Sequence, residues 1–322
     1  MTSPQPRAPG GPEWPEVIVV VGPTASGKSA VALELADLVG GEVVNADAFQ
    51  VYRGMDVGTA KPSRADQQRV AHHLLDILAV TDELSVVRYQ HLARDVLRDL
   101  AARAVPAIVV GGSGLYVRAL LDDLRFPGSD PQVRARWEAE LARLGPAALH
   151  AVLAERDPGA AGHILPSNGR RIVRALEVGE MTGEPFTATL PVDGPALVPH
   201  LSFGLEIDRF GLDRRIAERV ARMFDLGLVD EVRALVAVGL REGRTASRAL
   251  GYPQVIDLLD GLIDEGAARE QIVSATRAYA RRQQRWFRRD PRTQWLSAEL
   301  APSSTAATIA SRRAEVGRRL DP

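Results

Sequence analysis

Four residues near the start of the chain have the types and the spacing that bind phosphate groups. The pattern G-x-x-x-x-G-K-[ST] is complete at Gly22, Gly27, Lys28 and Ser29. In such a loop the backbone N–H groups turn inward, the lysine places a positive charge on the terminal phosphates, and the serine hydroxyl is offered to Mg²⁺. The pattern predicts a site for a phosphate chain but does not indicate which compound carries it.

The residues on both sides of this loop favour the elements that the loop requires. Residues 17–21 are five apolar β-branched residues, a composition typical of a buried parallel strand. Residues 30–39 carry Val31, Leu35 and Leu38 at helical spacing. The helix would point the positive end of its dipole at the bound anion.

Asp47 is a second candidate for chemistry, because it ends a short predicted strand over 42–47. Ligands of open α/β sheets bind outside the carboxyl ends of the strands, so Asp47 is expected beside the phosphate loop. We interpret Asp47 as a general base. Two alternative roles remain for Asp47. It could be a carboxylate that lies near Mg²⁺ without binding it directly, or a simple turn residue.

A third apolar run, 106–110, is followed by the glycine-rich segment 111–114, which contains Ser113. The glycines would let a ligand approach the backbone closely, and Ser113 adds a hydroxyl. Three strand-to-loop units with helices between them predict a parallel sheet. This strand ends in Gly111-Gly112, whereas a standard P-loop ATPase has an aspartate there for its metal, which weakens the interpretation as a hydrolase.

The overall pattern predicts an α/β fold, with a P-loop NTPase-like parallel sheet as its core and helices on both faces. We expect a flexible arm over 1–15, the α/β core over 16–125 and a helical insertion over 126–200. A return strand and C-terminal helices would complete the core over 201–296. Residues 297–322 are assigned as a tail, with a helix left open as the alternative.

Composition sets broad limits on function. The 322 residues contain 40 Lys and Arg against 41 Asp and Glu, so global charge neither favours nor excludes a nucleic-acid partner. Two arginine clusters, at 170–174 and 281–289, leave RNA binding and solvated helix faces as equal alternatives. The chain has no cysteine, no signal-peptide pattern at its start and no apolar run long enough to span a membrane. We therefore expect a cytoplasmic protein without a membrane partner.

Taken together, the motifs resemble one family, the tRNA dimethylallyltransferases. Five segments match the family's signatures in the family's order: GPTASGKS at 22–29, NADAFQVYRGMDVGTAKP at 45–62, GGSGLYVRAL at 111–120, RRIVRALEV at 170–178 and ATRAYARRQQRWFRR at 275–289. Nucleotide kinases share only the first segment. The absence of cysteine agrees with the bacterial form, which lacks the zinc finger of eukaryotic relatives.

The resemblance implies a prenyl transfer from dimethylallyl diphosphate, with Mg²⁺, to the exocyclic amine of the adenosine at tRNA position 37. Asp47 matches the general base, and Thr24 matches a residue that activates the leaving diphosphate. An arginine that also contacts the diphosphate is either Arg215 or Arg219. The diphosphate would lie on the loop residues Gly22, Pro23, Thr24, Ala25, Ser26, Gly27, Lys28 and Ser29, with Ser29 as the metal ligand.

The resemblance also implies contacts with the anticodon stem-loop of tRNA. The matching positions are Asp47, Ala48, Phe49, Gln50, Ser113, Arg134, Arg170, Arg171, Arg174, Arg248, Gly251 and Tyr252. Ala48-Phe49 stands where the family commonly has Ser-Met, and Pro253-Gln254 stands where it commonly has Lys-Glu. We expect the protein to act as a monomer.

Two other functions are compatible with parts of the sequence. The phosphate loop alone would suit a nucleotide or small-molecule kinase, which would turn over ATP without tRNA. The arginine clusters alone would suit a non-catalytic RNA-binding protein, whose RNA affinity would fall with salt and would not depend on Lys28.

Overall fold

The computed structural model describes residues 13–124, 126–186 and 196–320. They form two compact units: within the described ranges, one covers Met1–Asp123 and Ala196–Pro322, and the other covers Leu124–Pro195. The sequence predicts the helical insertion at 126–200, and the second unit is the corresponding part of the structure. Of the predicted N-terminal arm, residues 1–12 lie outside the described residues.

The first unit is built on a parallel sheet whose order is β3-β2-β4-β1-β5-β6. Its strands are β1 (Val17–Val21), β2 (Glu42–Asn45), β3 (His72–His73), β4 (Ala107–Val110), β5 (Leu201–Glu206) and β6 (Thr293–Ser297). The central strand β1 pairs with β4 on one side and with β5 on the other. The predicted α/β fold with a parallel core is confirmed.

The α-helices of the described residues are α1 (Lys28–Val39), α2 (Arg64–Arg69), α3 (Val86–Ala102), α4 (Gly114–Leu121), α5 (Pro131–Leu144), α6 (Pro146–Arg156), α7 (Pro158–His163), α8 (Gly169–Thr182), α9 (Arg209–Asp225), α10 (Leu228–Ala237), α11 (Tyr252–Leu259), α12 (Glu265–Phe287) and α13 (Pro302–Leu320). None of the described helices combines the length and the apolar character that crossing a bilayer requires.

Neighbouring residues of a strand point to opposite faces of the sheet. Each face of this sheet is covered by a hydrophobic core. Val17 and Val19 of β1 pack into a core with α3, α4, α10 and α11. Ile18 and Val20 pack into a second core with α1, α9 and α13. This two-sided burial explains why β1 consists entirely of apolar residues. The burial of β1 on both faces also holds the end of this strand in place, and the phosphate loop begins there.

Two elements at the end of the chain differ from the sequence prediction. Residues 302–320 form α13, and Ala306 and Ile309 of this helix are fully buried against the sheet. The assignment of a tail is therefore wrong for these residues, and the alternative of a helix is right. The strand β6 was not predicted, because its residues are half-buried or exposed at the sheet edge and lack the apolar pattern of an inner strand.

The second unit consists of α5, α6, α7 and α8 around a hydrophobic core of its own. The core is formed by Trp137, Leu149, Leu153, Ile172 and Leu176, among others. Glu177 of α8 is fully buried beside this core. A buried carboxylate needs compensating partners, and Glu177 has them in Ser129, Arg134 and Arg174.

Candidate active site

The phosphate loop connects β1 to α1 and has the backbone geometry that its sequence predicts. Gly22 has φ +142°, and a Cβ on this residue would lie 2.8 Å from the carbonyl oxygen of Leu205. A side chain is therefore excluded where the loop crosses the neighbouring strand β5. After Gly27, α1 begins at Lys28, so the N-terminal end of the helix faces the loop.

Lys28 is a partly buried cation inside this loop. Its Nζ donates a hydrogen bond to the carbonyl oxygen of Pro23 at 2.6 Å. Burial and the neighbouring charge of Arg219 lower the pKa of Lys28 to about 7, and the carboxylate of Asp47 opposes that shift. A lysine held in this way gains from a bound anion, which would favour its charged form.

Two arginines of α9 were open candidates for the leaving group, and the structure separates them. The guanidinium of Arg219 donates to Thr24 Oγ1 at 3.1 Å and to the carbonyl oxygen of Thr59 at 3.3 Å. Arg215 instead donates to the carbonyl oxygen of Ala298 at 3.0 Å, just after β6. Arg219 lines the cavity at the loop, and Arg215 does not.

Asp47 lies just after β2, where the backbone leaves the sheet. Its N–H donates to Asn45 Oδ1 at 3.0 Å, and its own Oδ1 accepts from the N–H of Phe49 at 2.9 Å. Ser113 Oγ accepts from the N–H of Ala48 at 3.2 Å, which ties the Asp47 segment to the loop after β4. The carboxylate is therefore held by its own turn rather than by an ion pair.

These groups surround one cavity of about 80 Å³, which belongs entirely to the first unit. Its lining includes Thr24, Lys28, Ser29, Asp47, Gln50, Arg219, Tyr279 and Gln283. A carboxylate thus shares a cavity with two cations and with the hydroxyls of the phosphate loop. Such a cavity can bind an anionic group through its cations and accept a proton at the carboxylate.

Tyr279 and Gln283 of α12 are site residues that the sequence reasoning missed. Burial raises the pKa of Tyr279 to about 12, with the nearby charge of Asp47 adding to the shift. The phenol is therefore neutral at physiological pH. The two residues are four apart, a spacing that places side chains on the same helical face. That spacing is the signal that the sequence offers for these two residues.

The segment that follows Asp47 is fixed to the helices behind it by Glu231. The carboxylate of Glu231 accepts hydrogen bonds from the N–H groups of Asp56, Val57 and Gly58 at 2.8, 2.6 and 3.0 Å. It also accepts from the hydroxyl of Tyr252 at 2.7 Å. Nothing in the sequence motifs pointed to Glu231, because its partners are mainly backbone groups.

The residues of the first unit that were predicted to contact tRNA lie in different environments. Gln50 lines the cavity and donates to the carbonyl oxygens of Thr59 and Ala60. Ala48 and Phe49 are half-buried beside it, and Arg248 is exposed in a 3₁₀ turn just before Gly251. The side chain of Tyr252 is fully buried against Glu231. The tRNA contact at Tyr252 stays a prediction.

The four predicted tRNA-contacting arginines of the second unit lie on α5 and α8. Arg134 and Arg174 bind Glu177 Oε2 at 2.8 and 2.9 Å, and Ser129 Oγ donates to Oε1 at 2.7 Å. Burial raises the pKa of Glu177, but the hydrogen bonds from Ser129, Arg174 and Arg134 outweigh it and hold the pKa below its ordinary value. The remaining two, at the start of α8, have exposed side chains: Arg170 and Arg171.

The pair His72-His73 does not form a metal site in the described part of the chain. It lies in β3, where His73 Nε2 is 2.6 Å from Glu42 Oε2 and His72 Nδ1 is 2.8 Å from the carbonyl oxygen of Val70. Among the described residues there is no group of three or more His, Cys, Asp or Glu side chains that could hold a metal ion.

Comparisons with known proteins place this geometry in context. The family model described as IPP transferase matches residues 50–290. A tRNA dimethylallyltransferase of Kineococcus radiotolerans is 61% identical over 295 residues, which are 90% of this chain and 92% of that protein. Another, of Streptomyces coelicolor, is 56% identical over 299 residues, which are 93% of this chain and 96% of that protein.

Solved structures agree with the sequence relatives. A tRNA isopentenylpyrophosphate transferase of Bacillus halodurans matches with a TM-score of 0.69 and 34% identity, covering 95% of this chain and 99% of that one. The corresponding enzyme of Staphylococcus epidermidis matches with a TM-score of 0.70 and 32% identity, over 94% and 99% of the two chains. A eukaryotic dimethylallyltransferase acting on tRNA shares the fold at a TM-score of 0.71 and 24% identity, over 93% and 77%.

Proposed function

The chain belongs to the IPP transferase family, and on this premise we propose that it moves a dimethylallyl group from dimethylallyl diphosphate to a tRNA adenosine. It is an enzyme, a prenyltransferase. The observation that carries the proposal is the shared cavity, in which Asp47 lies with Lys28, Arg219 and Thr24. A standard P-loop ATPase has a metal-binding aspartate at the end of this strand, β4, where this chain has glycines.

The proposed reaction has two halves that suit the two sides of the cavity. The bond between the allylic carbon and the diphosphate oxygen breaks, and the electron pair leaves with the diphosphate. Lys28, Arg219 and the loop N–H groups stabilise the charge that develops on that oxygen. A bond forms between the allylic carbon and the exocyclic amine of adenosine, and the proton of the amine passes to Asp47.

Mg²⁺ is the proposed cofactor, and the residues present fit it. Ser29 is exposed in the first turn of α1 and lines the cavity beside Lys28. Mg²⁺ prefers oxygen ligands and usually keeps several waters beside substrate phosphates, and the serine hydroxyl of a phosphate loop is one of its usual protein ligands. When bound, the ion would neutralise charge on the diphosphate.

The nucleic-acid side of the site is proposed to receive the adenosine at position 37, next to the anticodon. A base can reach the cavity only after it has left its stack, and loop bases are the usual targets of sequence-specific RNA recognition. Gln50, Ser113 and the backbone after Asp47 offer donors and acceptors for its polar edge. The exposed arginines at the start of α8 are proposed to bind the phosphates of the stem.

We also propose that the protein acts as a monomer in the cytoplasm. The monomer is supported by the groups of the proposed reaction, because Lys28, Arg219 and Asp47 of one chain line the same cavity and the chemistry needs no second copy. The cytoplasm is supported by the proposed tRNA substrate.

The test is transfer of label from dimethylallyl diphosphate to unmodified tRNA in the presence of Mg²⁺. We expect label in the tRNA, located at position 37 after nuclease digestion. A folded protein that transfers no label, or that turns over ATP without tRNA, would refute the proposal. Omission of Mg²⁺ tests the cofactor in the same assay.

A further inference from the structure

One buried side chain connects the two loops that build the cavity. Gln283 of α12 is 5% exposed. Its Oε1 accepts from the N–H of Thr24 at 2.8 Å, and its Nε2 donates to the carbonyl oxygen of Gly112 at 2.9 Å. Thr24 belongs to the phosphate loop after β1, and Gly112 belongs to the loop after β4, so one amide bridges adjacent strands at their carboxyl ends.

The close contact with Gly112 depends on the absence of a side chain there. A Cβ at this position would lie 2.1 Å from Nε2 of Gln283, far inside van der Waals contact. The amide of Gln283 therefore reaches the backbone of Gly112 because no side chain stands there. An alanine at position 112 would push the side-chain amide of Gln283 away from the loop. The residue at position 283 would still be a glutamine.

The bridge also determines which group of Thr24 faces the leaving group. The Thr24 N–H is occupied by Gln283, whereas an N–H at the tip of a phosphate loop would otherwise be free for an oxygen of the ligand. The Thr24 hydroxyl remains, and it already accepts from Arg219. Gln283 thus holds the residue that aligns Arg219 in the cavity.

The same helix reaches the loop that carries the base. Tyr279 lies one turn before Gln283, and its phenol interacts with the side chains of Ser113 and Gln283. Ser113 in turn accepts from the N–H of Ala48, next to Asp47. Contacts of α12 therefore extend to the phosphate loop, to the loop after β4 and to the segment of Asp47.

We propose that Gln283 is a positioning residue that sets the distance between the diphosphate-binding groups and Asp47. This inference rests on the proposed prenyl transfer and adds a role that acts through Thr24 and Gly112. A glutamine suits the role because its amide both donates and accepts. A glutamate would lose the donor and would place a negative charge beside the leaving group.

Three variants test the role: Gln283→Met, Gly112→Ala and the combination of both. Met has a similar length and cannot make the two hydrogen bonds. We expect each single variant to lower kcat for label transfer about 10- to 100-fold, because small misplacements of reacting groups have effects of this size. The KM for tRNA should change less than about threefold, since the bridge binds backbone groups of Thr24 and Gly112 and the arginines proposed to bind the RNA phosphates are not part of it.

The combined variant distinguishes a shared contact from two separate defects. Since both substitutions break the same bridge, we expect the double variant to have about the kcat of the slower single variant. Independent effects would multiply and would refute the role. The control is Gln284→Met, the next residue of the same helix, which does not line the cavity and should keep kcat within about twofold.

The outcomes separate this inference from the proposed function. If the wild-type protein transfers no label, both fail together. If the wild type is active and Gln283→Met keeps kcat within about twofold, the positioning role alone is overturned. Thermal melting of each variant guards against misfolding. Gln283→Asn, which keeps the amide but cannot span both loops, replaces Gln283→Met if that variant does not fold, and it should show the same loss of kcat.

Discussion

At the scale of single residues, the site depends on charges that are partly removed from water. Burial lowers the pKa of both Lys28 and Arg219; the charge of Arg219 lowers the pKa of Lys28 further, and the charge of Arg222 does the same for Arg219. Asp47 is the carboxylate that offsets them. Each cation is therefore less favourable in the free protein than in water, and a bound anion would relieve that cost. The residues are arranged for a ligand with several negative charges.

Lys28 gives a prediction on pH. Its pKa of about 7 in the free protein lies below the ordinary value of 10.5, and a bound diphosphate would raise it. Above pH 7 the free lysine is mostly neutral, so binding must be accompanied by proton uptake, and affinity contributed by this residue falls as the pH rises. Calorimetry with inorganic diphosphate near about pH 8, in buffers of different ionisation enthalpy, measures the uptake.

The reference for this measurement is Lys28→Met, because diphosphate itself also titrates. We expect the wild type to take up more protons per bound diphosphate than the variant. Equal uptake in the two proteins would contradict the lowered pKa.

Asp47 gives a second prediction at this scale. Asp47→Asn keeps the hydrogen bond from the N–H of Phe49 but removes the proton acceptor. We expect kcat for label transfer to fall about 10²- to 10⁴-fold, the usual range for the loss of a general base. Binding of inorganic diphosphate should not weaken. Asp225→Asn, at an exposed position near the end of α9, is the matched control. Near-normal kcat in Asp47→Asn would remove this residue from the proton transfer.

At the scale of elements, the sequence predicts well where a strand passes directly into a ligand loop. The β1–loop–α1 unit and the end of β2 were predicted because apolar runs and loop residues are contiguous there. Contacts between distant elements were not predictable, and Gln283 and Glu231 are examples: both act on backbone groups more than 170 residues away in the sequence. The strand β6 has too few buried side chains to leave an apolar pattern.

Arg215 and Arg219 of α9 show, within one helix, that contacts with distant elements cannot be predicted from the sequence. They are four residues apart and share a helical face, so periodicity cannot separate them. The contact that distinguishes the two arginines involves β6. Ala298 follows this strand, and its carbonyl oxygen accepts a hydrogen bond from Arg215. Because β6 was not predicted, its effect on α9 was not predictable either.

The two arginines provide a matched pair of variants. Arg219→Gln removes a donor next to Thr24 and the leaving group, so we expect kcat to fall about 10²- to 10³-fold. Arg215→Gln removes a contact with a carbonyl oxygen and should reduce stability by about 1 kcal/mol, with kcat within a few fold. Steady-state kinetics and thermal melting measure both. The reverse order of the two kcat values would contradict the assignment of Arg219.

At the scale of the whole molecule, the chain consists of two units with separate hydrophobic cores. All the cavity residues belong to the first unit. In the second unit, Glu177 holds Arg134 and Arg174 and neutralises part of their charge. The arginines at the start of α8 have exposed side chains, and they are the ones that we propose for phosphate contacts. Under the proposed function, the first unit would perform the chemistry and the second unit would contribute affinity for RNA.

This division predicts the behaviour of the double variant Arg170→Gln, Arg171→Gln. Loss of two exposed positive charges at the start of α8 should raise the KM for tRNA, because phosphate contacts contribute affinity without contacting the reacting atoms. The slope of log K for tRNA binding against log salt should become shallower by about 1 to 2, since fewer counterions are released. At saturating tRNA, kcat should stay within about twofold of the wild type.

The control variant also replaces an arginine by glutamine, at another place in the second unit. Arg143→Gln removes an exposed arginine at the end of α5, which is paired with Glu140 three residues before it. We expect little change in either the KM or the salt slope, because a surface pair of this kind is weak and is not part of the predicted RNA surface. If Arg143→Gln weakens tRNA binding as much as the double variant does, the effect is one of net charge. If the double variant lowers kcat at an unchanged KM, the arginines act on the reaction itself, and the division between the two units does not hold.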